Sequence, residues 1–119
     1  MFDNKKAIIC FQYVERIKSE LIIATKLLEK LDELEGDELA GAEKLMLSFL
    51  DALANEVNIA HGVLGLQNFD EARTKILEAK ELVRLHEHLE ATSRLSGAIS
   101  SVTSSGQRAM QMLKEKKLL

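Results

Sequence analysis

Apolar residues recur at alternating steps of three and four along most of the chain, a spacing that aligns side chains on one face of an α-helix. Within residues 4–35 the main apolar positions form a single coiled-coil-like seam: Cys10, Val14, Ile17, Leu21, Ala24, Leu28 and Leu31. Further apolar residues at positions 22, 23, 27 and 34 widen this seam. The pattern therefore predicts a first helix over residues 4–35 that contacts more than one neighbour.

A second helix is predicted from about Glu38 to Leu64, after a glycine at position 36 that suits a helix end. One of its apolar seams comprises Met46, Leu50, Leu53, Val57, Ala60 and Leu64. The other comprises Ala42, Leu45, Phe49, Ala52, Ile59 and Val63. A helix that is apolar over most of its circumference is enclosed by others. We therefore expect this helix to be the most buried element of the fold.

Residues 68–117 contain no proline and begin with a helix start signal, in which Asn68 is the cap and Glu71 its capping-box partner. Gly65 fits the left-handed end of the preceding helix. The apolar phase slips after Val83, so the stretch is either one long helix or two helices with a turn at residues 92–97. Neither proline nor Asn-Gly marks such a turn, but four matched helices bury more surface, and this favours two helices.

The predicted fold is all-α, an antiparallel up-down bundle of four helices, or of three with a long C-terminal helix. At 119 residues the chain makes one domain, residues 1–119, and can bury a core without disulfides. Apolar content of 46% and charged content of 29% are ordinary globular values, which argue against disorder. Aromatic residues make up only 4%, which favours helix over sheet.

Charge and apolar runs narrow the possible partners. The net charge is −3 with both signs interspersed, so no basic field for nucleic acid or for an anionic membrane surface is expected. No apolar run approaches the ~20 residues of a membrane span, and no secretory signal is apparent. The single Cys10 is expected to be a small buried hydrophobe. Together these features predict a cytoplasmic protein.

The histidines are the only candidates for site chemistry. His86 and Glu90 are four residues apart, so a regular helix could present both to a metal ion. His86 and His88 are two apart and would diverge by roughly 200° on a helix, so we expect them to be separate, solvated side chains. His61 is expected to interact with the carbonyl groups at a helix end. No Glu-x-x-His pair, phosphate loop or calcium loop is present. We accordingly assign no catalytic, cofactor-binding or metal-binding residue and no cofactor.

A short segment resembles a known family. Residues 67–72, followed by Glu78 and Ala79, resemble the helical phosphocarrier subunits of sugar phosphotransferase systems. That family carries its phosphorylated histidine at a position beyond His88, where this chain has none. The resemblance covers less than half of the chain and leaves a phosphocarrier-like or metal-dependent protein, using His86 and Glu90 or His61, as the alternative function.

The function that the pattern favours is a non-enzymatic helical interaction or scaffolding module. Its basis is an apparent excess of apolar surface, namely the two seams of the second helix, the widened first helix and the small-residue run at residues 93–106. One bundle of this length does not cover all of these faces. We therefore expect a homodimer or a helical protein partner that contacts the chain through helix packing.

Overall fold

The computed structural model describes residues 3–118 and consists of four helices. These are α1 (Asn4–Leu31), α2 (Gly36–Leu64), α3 (Gln67–Arg84) and α4 (His88–Glu115). Connections of two to four residues make successive helices antiparallel neighbours. Each helix packs on the next and α4 closes the ring against α1, while the diagonal pairs make no close backbone contact within the described residues. The predicted up-down bundle of four helices is confirmed.

Each helix turns one apolar stripe inward, and the four stripes form a single core. The seam predicted for α1 is buried in full, from Cys10 to Leu31. Cys10 itself is fully buried, as predicted, and burial raises the pKa of its thiol to about 11, with a smaller opposing effect from Arg108 and Lys6. The largest enclosed side chain, Phe69, anchors the start of α3 in the core.

The ends of the helices differ from the sequence prediction at two places. First, α1 ends at Leu31 rather than at residue 35, because Asp32 terminates it and residues 33 and 34 form turns with N–H groups bonded to Lys30 and Leu31. Second, Asn68 does not cap α3. The N-cap is Leu66, two residues earlier, so the helix begins at Gln67, and the Asn68 Nδ2 donates instead to the Ser101 carbonyl of α4 at 3.0 Å. Gly65 does end α2 in the left-handed conformation, with φ 66°, as predicted.

The connection between α3 and α4 lies at residues 85–87. The expected turn at residues 92–97 was therefore wrong in position, and residues 92–97 are helical in α4. The turn is a Schellman motif. The Glu87 N–H donates to the Leu82 carbonyl at 2.8 Å, and the His86 N–H donates to the Val83 carbonyl at 3.0 Å. His86 occupies the left-handed position, φ 63°, where glycine is the usual residue.

One side of the small-residue run of α4 is turned into the bundle, whereas Ser93, Ser96, Ser100 and Ser104 are exposed. Ser101, Ser105 and Gly106 are buried. Gly106 lies so close to α1 that a Cβ atom there would be 2.6 Å from the Val14 Cγ1. The small side chains thus let α4 approach α1 closely, and this face is covered within the chain itself.

The prediction that α2 is the most buried helix was wrong. Its first seam is in the core, but the second faces outward, where Leu45 is 75% exposed, Val63 55% and Ile59 51%. The physical reason is the ring topology, because α2 has only α1 and α3 as neighbours and no helix covers its outer side.

Candidate functional site

Two features stand out from the rest of the surface: a histidine–carboxylate cluster at one end of the bundle, and an apolar flank formed by α1 and α2. The cluster comprises Asp32, Glu43, His86 and His88. Asp32 follows α1, Glu43 is in the second turn of α2, and the two histidines flank the break between α3 and α4. The ends of all four helices therefore contribute to, or adjoin, one small polar cluster.

Glu43 is the centre of the cluster. Its side chain is buried, and both of its oxygens are within 3.0 Å of the His86 Nδ1. Its Oε2 also lies 2.6 Å from the His88 Nε2. Because an ionised carboxylate only accepts hydrogen bonds, both histidine nitrogens act as donors here. A buried carboxylate in α2 is thus held by two imidazoles from the α3–α4 connection.

The environment of Glu43 balances two opposing effects. Burial raises the pKa of this carboxyl group, but hydrogen bonds from His86 and His88, together with their charges, lower it by more. The pKa of Glu43 is therefore below its usual range, and the carboxylate form is the one that the fold stabilises.

His88 bridges two carboxylates. Its Nδ1 is 3.4 Å from the Asp32 Oδ1, while its Nε2 bonds to Glu43. Both hydrogen bonds can exist together only when both ring nitrogens carry hydrogen, that is, in the imidazolium form. The His88 side chain is only 11% exposed, whereas that of His86 is 71% exposed. The expectation that the two histidines are separate was wrong, because the helix is interrupted between them and both bond to Glu43. The expectation that they are solvated was wrong for His88 but holds for His86.

The structure gives no support to the metal sites considered from the sequence. The four-residue spacing of His86 and Glu90 no longer defines a helical face, because His86 lies in the turn and Glu90 in the first turn of α4. Among residues 3–118 no group of three or more His, Cys, Asp or Glu side chains is arranged to hold a metal ion. His61 is partly buried in the last turn of α2, at the opposite end of the bundle.

The second feature is the α1–α2 flank, defined by outward-facing residues that recur at steps of three and four on two adjacent helices. The α1 residues are Arg16, Glu20, Ile23 and Leu27; the α2 residues are Leu45, Phe49, Glu56, Ile59 and Val63. An ion pair between the Arg16 Nε and the Glu56 Oε1, 2.5 Å long, fixes these two rows side by side. Most of the remaining side chains of the flank are apolar and exposed.

A groove opens in this flank near the α1–α2 connection. It has a volume of about 390 Å³ and is lined almost entirely by apolar side chains, including Leu27, Leu34, Leu45 and Phe49, with Lys30 at its edge. It exists because α1 and α2 pack less extensively on each other than any other neighbouring pair of helices in the described chain.

Charged groups occupy the middle of the flank. Burial raises the pKa of Glu20 to about 7, and the neighbouring Glu56 adds to this through a hydrogen bond and charge repulsion, against a smaller opposing effect of Arg16. Glu20 and Glu56 are thus two carboxyl groups from adjacent helices that favour holding one proton between them near neutral pH. This acid pair was not recognised in the sequence, where Glu20 and Glu56 are 36 residues apart.

None of the four helices in the described part of the chain is both long and apolar enough to cross a membrane. Compared with known proteins, the chain matches no protein family, no curated protein sequence and no solved structure.

Proposed function

We propose that this chain is a non-enzymatic helical interaction module that forms a homodimer through the α1–α2 flank. The observation that carries the proposal is the row of exposed apolar side chains on α2, led by Leu45, Ile59 and Val63, beside Ile23 and Leu27 of α1. Single exposed apolar residues are common on protein surfaces, but several exposed apolar side chains grouped along one flank of two packed helices are typical of an interaction site.

The size of the flank suits a dimer. The bundle measures 54 × 22 × 18 Å, so one side of it exceeds the ~800 Å² per partner that a standard interface buries. A helix pair that docks against a second helix pair also has the geometry of ordinary helix packing.

The two ends of the flank complement each other. The groove lies at the end marked by Leu45, and the exposed pair Ile59 and Val63 forms a ridge at the other end. Leu45 and Val63 are separated by 18 residues of one helix, or about 27 Å at ~1.5 Å per residue. A two-fold axis across the middle of the flank exchanges its ends, so each ridge lies over the groove of the other copy. This self-complementarity favours a second copy over an unrelated partner.

The polar centre of the flank fits the same arrangement. The axis passes near Glu56 and Arg16, so each copy presents one guanidinium and one acid pair to the other. Polar groups at a single central position define the register of a helical interface. A reducing cytoplasmic location accords with the lone buried Cys10.

Light scattering coupled to size exclusion, with sedimentation equilibrium at tens of micromolar, tests this proposal. The expected species is a compact dimer. Leu45→Lys and Val63→Lys each place a charge in the interface and should give folded monomers, because both side chains are exposed in the single chain. Leu89→Lys is the matched control: this leucine is 84% exposed but lies on α4, away from the flank, and the variant should remain dimeric.

A sharply monomeric species for the unsubstituted chain would contradict the homodimer. Dissociation by Leu89→Lys as readily as by Leu45→Lys would show that the contact surface lies elsewhere. The helical content of each variant, measured by circular dichroism, separates loss of association from loss of the fold.

A further inference from the structure

A second groove lies between α2 and α3, next to the histidine–carboxylate cluster. Its volume is about 310 Å³. The apolar part of its lining comes from Ala40, Leu47 and Val83, and the polar part from Lys44, Arg84 and His86, with Glu43 behind His86. Val83 is fully buried and Leu47 half-buried, so the groove has a fixed apolar base. It is separate from the α1–α2 flank, which lies on the other side of α2.

Three nitrogen-bearing side chains from three different segments meet at this groove. Lys44 comes from α2, Arg84 from the last turn of α3, and His86 from the left-handed turn position. The lysine and the arginine are exposed, and Arg84 is only weakly engaged, with its Nε 3.7 Å from the Glu81 Oε2 on the surface. The one carboxylate in the lining, Glu43, is already occupied by hydrogen bonds from His86 and His88.

His86 is oriented by that carboxylate. Glu43 accepts from the Nδ1, so the Nδ1 carries hydrogen and the Nε2 is the nitrogen left for another molecule. No hydrogen bond to the Nε2 is present within residues 3–118. The backbone of His86 is in a left-handed conformation, φ 63°, and the bond from its Nδ1 to Glu43 is what orients the largely exposed imidazole.

We propose that the α2–α3 groove binds a small organic oxyanion, in which a phosphate or carboxylate group contacts Lys44, Arg84 and the His86 Nε2 while a short apolar body rests on Ala40 and Leu47. Guanidinium and ammonium groups are the preferred partners of such oxygens, and the imidazolium form of His86 adds a third donor. An apolar base with a few convergent polar groups is the usual composition of a small-ligand site. This inference does not depend on the homodimer.

The test is an NMR titration of the full chain with phenyl phosphate, benzoate and phenol, three ligands that share an aromatic body and differ in charge. The ring signals of His86 report on the site, and those of His61, at the other end of the bundle, serve as an internal reference. We expect saturable shifts at His86 with phenyl phosphate or benzoate, and no comparable shift with phenol. The stronger of the two anions identifies the ligand group.

The double substitution Lys44→Ala/Arg84→Ala should weaken anion binding about tenfold or more, because it removes two charged donors. The matched control, Lys5→Ala/Lys26→Ala, removes the same net charge from exposed positions of α1 and should leave the affinity unchanged. The proposal is overturned if millimolar anion produces no saturable shift at His86, if phenol shifts it equally, or if the two double variants bind alike.

Discussion

His86 and His88 bond to the same oxygen of Glu43, at 2.9 Å from the His86 Nδ1 and 2.6 Å from the His88 Nε2. On a regular helix, side chains two residues apart would point in different directions. The Schellman turn between the two histidines makes this convergence possible. The backbone of the turn, closed by its own hydrogen bonds to Leu82 and Val83, thus brings both imidazoles to the buried carboxylate.

The left-handed backbone of His86 can be tested by comparing His86→Gly with His86→Ala. Both variants lose the bond to Glu43, so the difference between their stabilities reports the cost of the left-handed backbone alone. Glycine adopts φ 63° without the Cβ penalty, and the glycine variant should be more stable by about 1 kcal/mol. Urea unfolding measures the difference. Equal stabilities, or a more stable alanine variant, would show that the turn is not strained.

Glu43→Gln tests the cluster itself. The amide replaces one acceptor oxygen with an NH2 group, so it cannot accept from both imidazoles as the carboxylate does, and leaving buried donors poorly paired costs about 1–3 kcal/mol. The folded-state pKa of Glu43 is lowered, so its stabilisation is present above the unfolded-state pKa and is lost as pH falls through the folded-state pKa. The free energies of unfolding of the unsubstituted chain and of Glu43→Gln, measured from about pH 3 to about pH 7 to span the ordinary glutamate range, should converge toward the acid end. A difference that stays constant with pH would contradict the role of the carboxylate.

The acid pair on the α1–α2 flank predicts the opposite pH dependence. Burial and Glu56 raise the pKa of Glu20 to about 7, so the folded chain holds a proton there that the unfolded chain releases near pH 4.5. Stability should therefore decline as pH rises between these two values. Glu20→Gln, which stays neutral, should lose this decline, whereas Glu29→Gln, an exposed residue of the same helix, should keep it. Guanidinium unfolding at several pH values distinguishes the three proteins.

The close approach of α4 to α1 predicts that two glycines respond in opposite directions. Gly106→Ala introduces a Cβ 2.6 Å from the Val14 Cγ1 and should destabilise the fold by about 1–3 kcal/mol. Gly41→Ala, in α2, meets nothing within 4 Å and should stabilise by about 0.5–1 kcal/mol through helix propensity. Thermal unfolding measures both.

A second substitution tests the cause of the Gly106 effect. If Val14 is the clashing group, Val14→Ala should cost less in the Gly106→Ala background than in the unsubstituted chain, because the smaller side chain relieves the overlap. Strictly additive effects of the two substitutions would place the strain elsewhere.

The sequence was sufficient for the fold because the three-and-four spacing of apolar residues directly reports the buried face of each helix. The inward stripe of α1 from Cys10 to Leu31 and the first seam of α2 were both predicted and are both buried. The spacing does not state which apolar face remains uncovered. The second seam of α2, including Leu45 and Val63, had the same periodicity as the first, and only the ring topology leaves it exposed.

The candidate sites were less predictable, because each depends on residues distant in sequence. The break at residues 85–87 has no glycine or proline, and His86 takes the position that glycine usually marks. The sequence signal that was available was the phase slip after Val83, which indicated a change of direction but not its location. Glu43 and His88 are 45 residues apart and Glu20 and Glu56 are 36 apart, so their pairing follows only from the assembled bundle.

The loose packing of α2 affects how the bundle opens. The two least extensive helix–helix contacts among the described helices both involve α2, whereas α4 packs extensively on both α1 and α3. Amide hydrogens of α2 should therefore exchange with solvent through a partial unfolding event of lower free energy than those of α4. The flank and the α2–α3 groove both border α2, so a second copy or a bound anion would slow exchange along this helix, well beyond the residues that it contacts.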